Sequence, residues 1–189
     1  YGKHGKKKYL ETDELRGDHP YEVSKSAADL LCTMYSKTYN LPVVITRFGN
    51  IYGEGDLNMS RILPGILESL LCKKTLQLRS NGTYVRDYLY VKDVALGYIQ
   101  LMENMENVRG QAFNFGSSET LSVFNLIKKV EKVLKKKVDY SFLHSAHNEI
   151  PYQSLDYSKV KKIVGWEPKY CIEKTISGMY AWYKSALFP

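Results

Sequence analysis

An α/β fold built on a parallel sheet is what this sequence predicts, on three observations. Apolar residues at Val23, Ala27, Leu30, Leu31 and Met34 follow Pro20 at helical spacing. Val43-Val44-Ile45-Thr46-Arg47-Phe48 is a short, nearly continuous run rich in β-branched residues. That pattern suits a strand covered on both faces, as in parallel sheets. Strand-type and helix-type segments then alternate through most of the remaining chain.

Taken in order, residues 3–18 are polar and irregular. The first helix runs from about Tyr21 to Tyr39. Pro20 sits where a helix can start, because a first-turn N–H has no intrahelical partner; Asn40 and Pro42 end the helix. The strand Val43–Phe48 leads into a Gly-rich loop over 49–59, at the carboxyl end where open α/β sheets take ligands. Ile62–Leu71 reads as a helix. Leu76–Arg79 and Val85–Val91 read as strands joined through Ser80-Asn81-Gly82-Thr83, where Asn-Gly is a tight-turn signal. Asp93–Met105 is expected as a helix and Ala112–Phe115 as a short strand. A Lys-rich helix opens at Ser122, a good N-cap. Val138–Leu143 reads as a strand, Tyr157–Val164 as a short helix stopped by Gly165. Ile172, Ile176, Met179, Tyr180 and Tyr183 place a last amphipathic helix.

With 189 residues, 44% hydrophobic and 25% charged, the chain has ordinary globular composition, enough for one core or two small ones. No apolar run approaches the roughly 20 residues of a membrane span. Cys32, Cys72 and Cys171 are odd in number and far apart, which suits free thiols of a reducing, cytoplasmic setting. The net charge of +7 raises nucleic acid as a partner. The lysines, however, fall in a polar loop (Lys3, Lys6, Lys7, Lys8) and beside an apolar stripe (Val123, Leu126, Ile127, Val130, Val133, Leu134), where Lys128, Lys129, Lys132, Lys135, Lys136 and Lys137 form the solvated face. No nucleic-acid partner is expected. His144 and His147 stand three apart without the further ligands a metal site needs, so no metal is expected.

The chemistry is expected at Tyr21 and Lys25. Four residues apart on a helix, phenol and ammonium share a face. A cation beside a phenol favours the phenolate, as proton transfer near neutrality requires. Arg86 presents a planar fork suited to phosphate oxygens.

These residues lie in blocks that carry a resemblance. Pro20-Tyr21-Glu22-Val23-Ser24-Lys25, then Thr46-Arg47-Phe48-Gly49-Asn50-Ile51-Tyr52-Gly53, then Val85-Arg86-Asp87-Tyr88-Leu89-Tyr90-Val91-Lys92-Asp93 occur in that order. They are followed by Phe113-Asn114-Phe115-Gly116, Leu155-Asp156-Tyr157-Ser158-Lys159 and Gly165-Trp166-Glu167-Pro168. The chain thus resembles the extended short-chain dehydrogenase/reductase family, the NAD-dependent nucleotide-sugar epimerases and dehydratases. Gly53-Glu54-Gly55-Asp56 with Arg61-Ile62-Leu63-Pro64, and Glu149 ahead of Asp156, look closest to the CDP-glucose 4,6-dehydratases.

The resemblance implies the C-terminal part of a Rossmann-type parallel sheet plus a smaller α/β substrate-binding domain. Residues 1–50 and 88–116 would form the remainder of the dinucleotide-binding domain, and 51–87 with 117–189 the substrate-binding domain. It implies NAD as cofactor and a nucleoside-diphosphate hexose as substrate. Tyr21 would be the acid/base; Lys25 would hold the nicotinamide ribose, with Phe48 and Gly49 also at the cofactor. Asn50, Arg61 and Arg86 would hold the nucleotide diphosphate. A 4,6-dehydratase is expected; a 4-epimerase and a non-catalytic binding module are the alternatives. The stretch before Asp156 carries no Arg, which departs from the two-Arg clamp of other members. The family's Gly-x-x-Gly-x-x-Gly unit, which cradles pyrophosphate, is absent here. The chain is therefore expected to be the C-terminal part of a longer enzyme, inactive alone. The Tyr21 helix has apolar residues beyond those facing a sheet, and the resemblance implies a homodimer through it.

Overall fold

A computed structural model of the chain describes all residues except 4, 6, 144, 146–148 and 188–189; the expectation for His144 and His147 lies outside the described residues. In chain order the elements are α1 (Pro20–Tyr39), β1 (Ile45–Phe48), β2 (Asn50–Tyr52), α2 (Ile62–Cys72), β3 (Leu76–Leu78), β4 (Val85–Tyr90), α3 (Val91–Glu103), α4 (Met105–Val108), β5 (Ala112–Phe115), β6 (Thr120–Ser122), α5 (Val123–Leu134), β7 (Tyr140–Phe142), β8 (Tyr152–Gln153), α6 (Ser158–Val164) and α7 (Ile172–Leu187).

Among the described residues the strands form three small sheets. β1 pairs with β5 in parallel, Ile45 opposite Ala112 and Phe48 opposite Phe115. β4 is the centre of the second: it pairs in parallel with β2 and β8 and antiparallel with β6. β3 and β7 form the third, also parallel. The chain crosses from the first sheet to the second at Gly49. A Cβ there would stand 2.8 Å from the Asp87 Cβ, closer than real Cβ atoms come, so only glycine lets β1 turn so tightly against β4.

Two apolar clusters lie on either side of β4. One holds Leu89 with Val94, Leu101, Phe113, Phe115, Val160 and Trp166. The other holds Tyr88 and Tyr90 with residues of α2, α5 and α7, among them Ile66, Leu67, Leu126, Ile176 and Tyr183. Successive strand residues point to opposite faces, so one strand serves both clusters.

The helices sit close to where the spacing predicts them. Ser122 caps α5, its hydroxyl accepting the Asn125 N–H at 3.2 Å. Gly165 ends α6 with φ +74°, the left-handed cap that glycine adopts without strain. Four expectations are corrected. Loop 49–59 opens with strand β2, because parallel pairing to β4 satisfies its backbone. β3 and β4 do not pair with each other; each finds a parallel partner from a later segment, so Asn81-Gly82 makes a bend and no hairpin. Residues 3–18 are not wholly peripheral: Tyr9 is completely buried and bridges to Leu155. Lys129 does not belong to a solvated face; its ammonium pairs with the carboxylates of Glu119 and Glu173.

Candidate functional site

α1 begins at an exposed edge. The His19 Nδ1 accepts the Tyr21 N–H at 3.4 Å, and the Glu22 carboxylate accepts the Asp18 N–H at 3.0 Å. Both satisfy donors around the first turn, which the helix itself cannot reach. Tyr21 is 66% exposed, and the Lys25 ammonium lies 5.5 Å from the centre of its ring. Lys25 is exposed and forms no ion pair among the described residues. Phenol and ammonium thus stand together on one solvent-facing turn, as the spacing predicts.

Phe48, at the carboxyl end of β1, packs its ring 4.9 Å from Phe115 and 5.4 Å from Tyr98. Gly49 follows, and Asn50 is exposed at the start of β2, opposite Tyr88. Arg86, two residues before Tyr88, has a side chain only 15% exposed. Among the described residues its guanidinium makes one hydrogen bond, donated to the Val85 carbonyl at 2.8 Å. The Glu149 carboxylate is 3.8 Å away, longer than a hydrogen bond. Burial pulls the Arg86 pKa below its ordinary value, and Glu149 only partly opposes it. A half-desolvated fork with most of its N–H groups unused is suited to an anion.

Asp87 does not pair with Arg86. It is 1% exposed, and its carboxylate accepts the Thr120 hydroxyl and the Leu155 N–H, each at 2.7 Å. Burial pushes its pKa up while these hydrogen bonds oppose the rise. Asp87 therefore ties β4 to β6 and to the 154–156 segment, and so fixes the backbone that carries Arg86. Asp93 acts alike at the start of α3, accepting the N–H groups of Lys169 and Tyr170 at 3.0 and 3.1 Å. An Asp directly before the bulky run Tyr88-Leu89-Tyr90 was the signal available for Asp87, since a buried carboxylate needs several donors.

Arg61 is placed elsewhere. At the N-terminus of α2 its guanidinium pairs with Asp56 at 3.0 Å. With Gly53, Glu54 and Val91 it lines an open cavity of about 310 Å³ at the end of β2 and β4 remote from Arg86. The structure groups Phe48, Gly49, Asn50 and Arg86 on adjoining strands and Tyr21 with Lys25 on α1, but does not bring Arg61 and Arg86 into one clamp. Glu119, Cys171 and Glu173 come close enough to share a cation, yet the Lys129 ammonium already pairs with both carboxylates.

Parallel β1–β5 pairing, a helix carrying Tyr and Lys ahead of it, and helices on the sheet define a Rossmann-type α/β protein. The chain belongs to the NAD dependent epimerase/dehydratase family, whose model matches residues 1–116. It is 27% identical to the UDP-glucuronate 4-epimerase of Thermodesulfobacterium geofontis over 169 residues, 87% of this chain and 50% of that one. It is 26% identical to dTDP-glucose 4,6-dehydratase 1 of Escherichia coli, covering 94% of this chain and 50% of that one. Among solved structures, the UDP-glucuronic acid 4-epimerase of Bacillus cereus, in complex with UDP-glucuronic acid and NAD, superposes with TM-score 0.91 at 26% identity, over 98% of this chain and 58% of that one. The dTDP-glucose 4,6-dehydratase of Bacillus anthracis in complex with NAD gives 0.89 at 28%, with the same coverage. The chain spans about half the length of the curated relatives it matches.

Proposed function

We propose that this chain is the part of an NAD-dependent nucleotide-sugar 4,6-dehydratase that carries the catalytic tyrosine and binds a nucleoside-diphosphate hexose. The observation that carries the reading is the exposed Tyr21–Lys25 pair, 5.5 Å from ammonium to ring centre, with the under-bonded Arg86 as its companion.

NAD, when bound, supplies the hydride acceptor. The residues present fit its nicotinamide end: Lys25 is exposed and offers an ammonium with no acidic partner among the described residues, on the same turn as Tyr21. Tyr21 takes the proton from the sugar hydroxyl being oxidised, and the Lys25 ammonium beside it holds the nicotinamide ribose. Phe48 closes the junction of cofactor and sugar. Asn50 and Arg86 hold the diphosphate, with Arg61 reaching the nucleotide from the α2 side. In a dehydratase the resulting 4-keto sugar loses water across C5–C6 and takes the hydride back at C6, which leaves a 4-keto-6-deoxy sugar; in a 4-epimerase it takes the hydride back at C4 on its other face.

The complete protein works as a cytoplasmic homodimer through α1. Leu30, Leu31, Met34, Tyr35 and Tyr39 are all exposed on that helix, more apolar surface than a solvated helix carries. No helix among the described residues is long and apolar enough to cross a membrane.

The test is turnover by the full-length protein with NAD and a panel of UDP-, dTDP- and CDP-hexoses. A 4-keto-6-deoxy product is expected, and Tyr21→Phe should lower turnover by at least ~100-fold, the scale of a lost acid/base. Arg86→Ala should raise the sugar-nucleotide Kd about 10-fold, as a charged hydrogen bond warrants. Inversion at C4 without loss of water would assign the epimerase instead. Full turnover in Tyr21→Phe would end the proposal.

A further inference from the structure

Three residues have no part in the reading above: Tyr1, Arg47 ahead of Phe48, and Asn114 of Phe113-Asn114-Phe115-Gly116. The structure gathers them in one polar network, and Asp29 of α1 completes it. The Arg47 Nε donates to Asp29 Oδ2 at 2.7 Å and its Nη2 to Asp29 Oδ1 at 3.0 Å, a two-pronged pair. The Arg47 Nη1 donates to the Tyr1 hydroxyl at 2.6 Å and to the Glu11 carbonyl at 3.2 Å. The Tyr1 hydroxyl donates in turn to Asn114 Oδ1 at 2.6 Å. Asn114 is itself fixed, its Nδ2 donating to the Tyr9 carbonyl at 2.9 Å and its N–H to the Glu11 carboxylate at 2.8 Å.

The side chains of Arg47 and Asp29 are 15% and 11% exposed. Burial pulls the Arg47 pKa down, but the Asp29 carboxylate and the Tyr1 hydroxyl outweigh it and hold the group above its ordinary value. This is a strong, sheltered link, and α1 has little else. None of its side chains is buried, so no jigsaw of apolar groups fixes how the helix sits on the sheet.

Resting on the functional reading above, we infer that Asp29 and Arg47 are positioning residues. Their ion pair sets the rotation and axial register of α1 on β1, and thereby places Tyr21 and Lys25 against the end of β1. Tyr21, Lys25 and Asp29 fall at i, i+4 and i+8, one stripe of the helix. Eight residues are about 12 Å of helix. A tilt of roughly 5° about Asp29 would move Tyr21 by about 1 Å, an error on the order of that which costs 100-fold in rate. Arg47 is adjacent to Phe48, so the same pair references the helix to the strand that delivers Phe48 and Gly49.

The test is Asp29→Asn in the full-length protein, which keeps shape and one acceptor but removes the charge. Turnover should fall about 10-fold with KM for the sugar nucleotide within about 2-fold, the mark of misplacement rather than lost binding. Asp29→Glu should recover most of the loss. Amide exchange within α1 should quicken in Asp29→Asn while α7 amides keep their protection. Should Asp29→Asn not fold, Arg47→Lys keeps the charge, loses the fork and carries the same expectations. Unchanged turnover in a folded variant would overturn the inference, as would a rise in KM that accounts for the whole loss, or equal loss of protection in α1 and α7. Tyr21→Phe is measured alongside: if it keeps its activity, the functional reading falls, and the exchange data alone still decide whether Asp29 holds α1.

Discussion

α1 and α7 are both long amphipathic helices, and they are held by opposite means. α7 buries Ile172, Thr175, Ile176, Met179 and Tyr183 against α2, α5 and the sheet. Its first turn is fastened as well, the Ile172 N–H bonding to the Glu119 carboxylate at 2.6 Å. α1 buries nothing and is referenced to the sheet by one ion pair. The difference teaches that an apolar stripe alone does not say where a helix packs. In α7 the stripe is core; in α1 the same spacing leaves Leu30, Leu31 and Met34 in solvent, a surface for something outside this chain's own core.

The sharpest way to break the comparison is by truncation. Ile176→Ala should cost about 2–5 kcal/mol of stability in this chain, the range for a buried aliphatic with its cavity. Leu30→Ala should fall within about 0.5 kcal/mol, as for exposed sites. Urea unfolding of both variants checks this, and a loss at Leu30 as large as at Ile176 would mean that α1 is packed after all. Next in size are the caps. Ser122→Ala should cost about 1 kcal/mol, whereas His19→Ala, whose bond is long and exposed, should cost a few tenths at most. Thermal melts with both variants measure the contrast.

The smallest effect is a change of slope with pH. Burial and the nearby Asp56 and Glu54 push the Tyr183 phenol up to about 12 from 10, and its hydroxyl donates to the Asp56 carbonyl. A pKa raised in the folded state contributes stability below the unfolded value and loses it as pH climbs. The chain should therefore weaken between pH 10 and about 12. Tyr183→Phe should reduce that slope without abolishing it, because burial raises Tyr52, Tyr88 and Tyr90 too. An identical slope in Tyr183→Phe would show that the Asp56 bond does not hold the phenol in its protonated form.

α1, α5 and α6 were the most legible because end signals add to their spacing: Pro20, Ser122 and Gly165 mark boundaries that the structure keeps, while α4, four residues long, was not read at all. β6 and β8 were not, since two or three residues carry no period. The pairing of β3 and β4 was misread because local turn chemistry speaks only for neighbours, while both strands take parallel partners from distant segments. In the site, the Tyr21–Lys25 juxtaposition follows from helix geometry alone. The surroundings of Arg86 do not, since Glu149 and the segment that Asp87 ties down come from far along the chain. Asp29 and Arg47 left a trace that could have been followed. A guanidinium in the middle of an apolar strand demands a carboxylate, and Asp29 is the acid that the helix before it supplies.

The position of β4 between the two apolar clusters has a mechanical meaning. Leu89 belongs to one cluster, Tyr88 and Tyr90 to the other, and β2, β6 and β8 are all laddered to the same six residues. A hinge needs a seam that crosses few bonds, and no such seam runs along this strand. To slide one cluster past the other would strip β4 of partners on both edges at once. Bending in this part of the molecule is thereby directed away from Arg86 and toward α1, which buries none of its side chains.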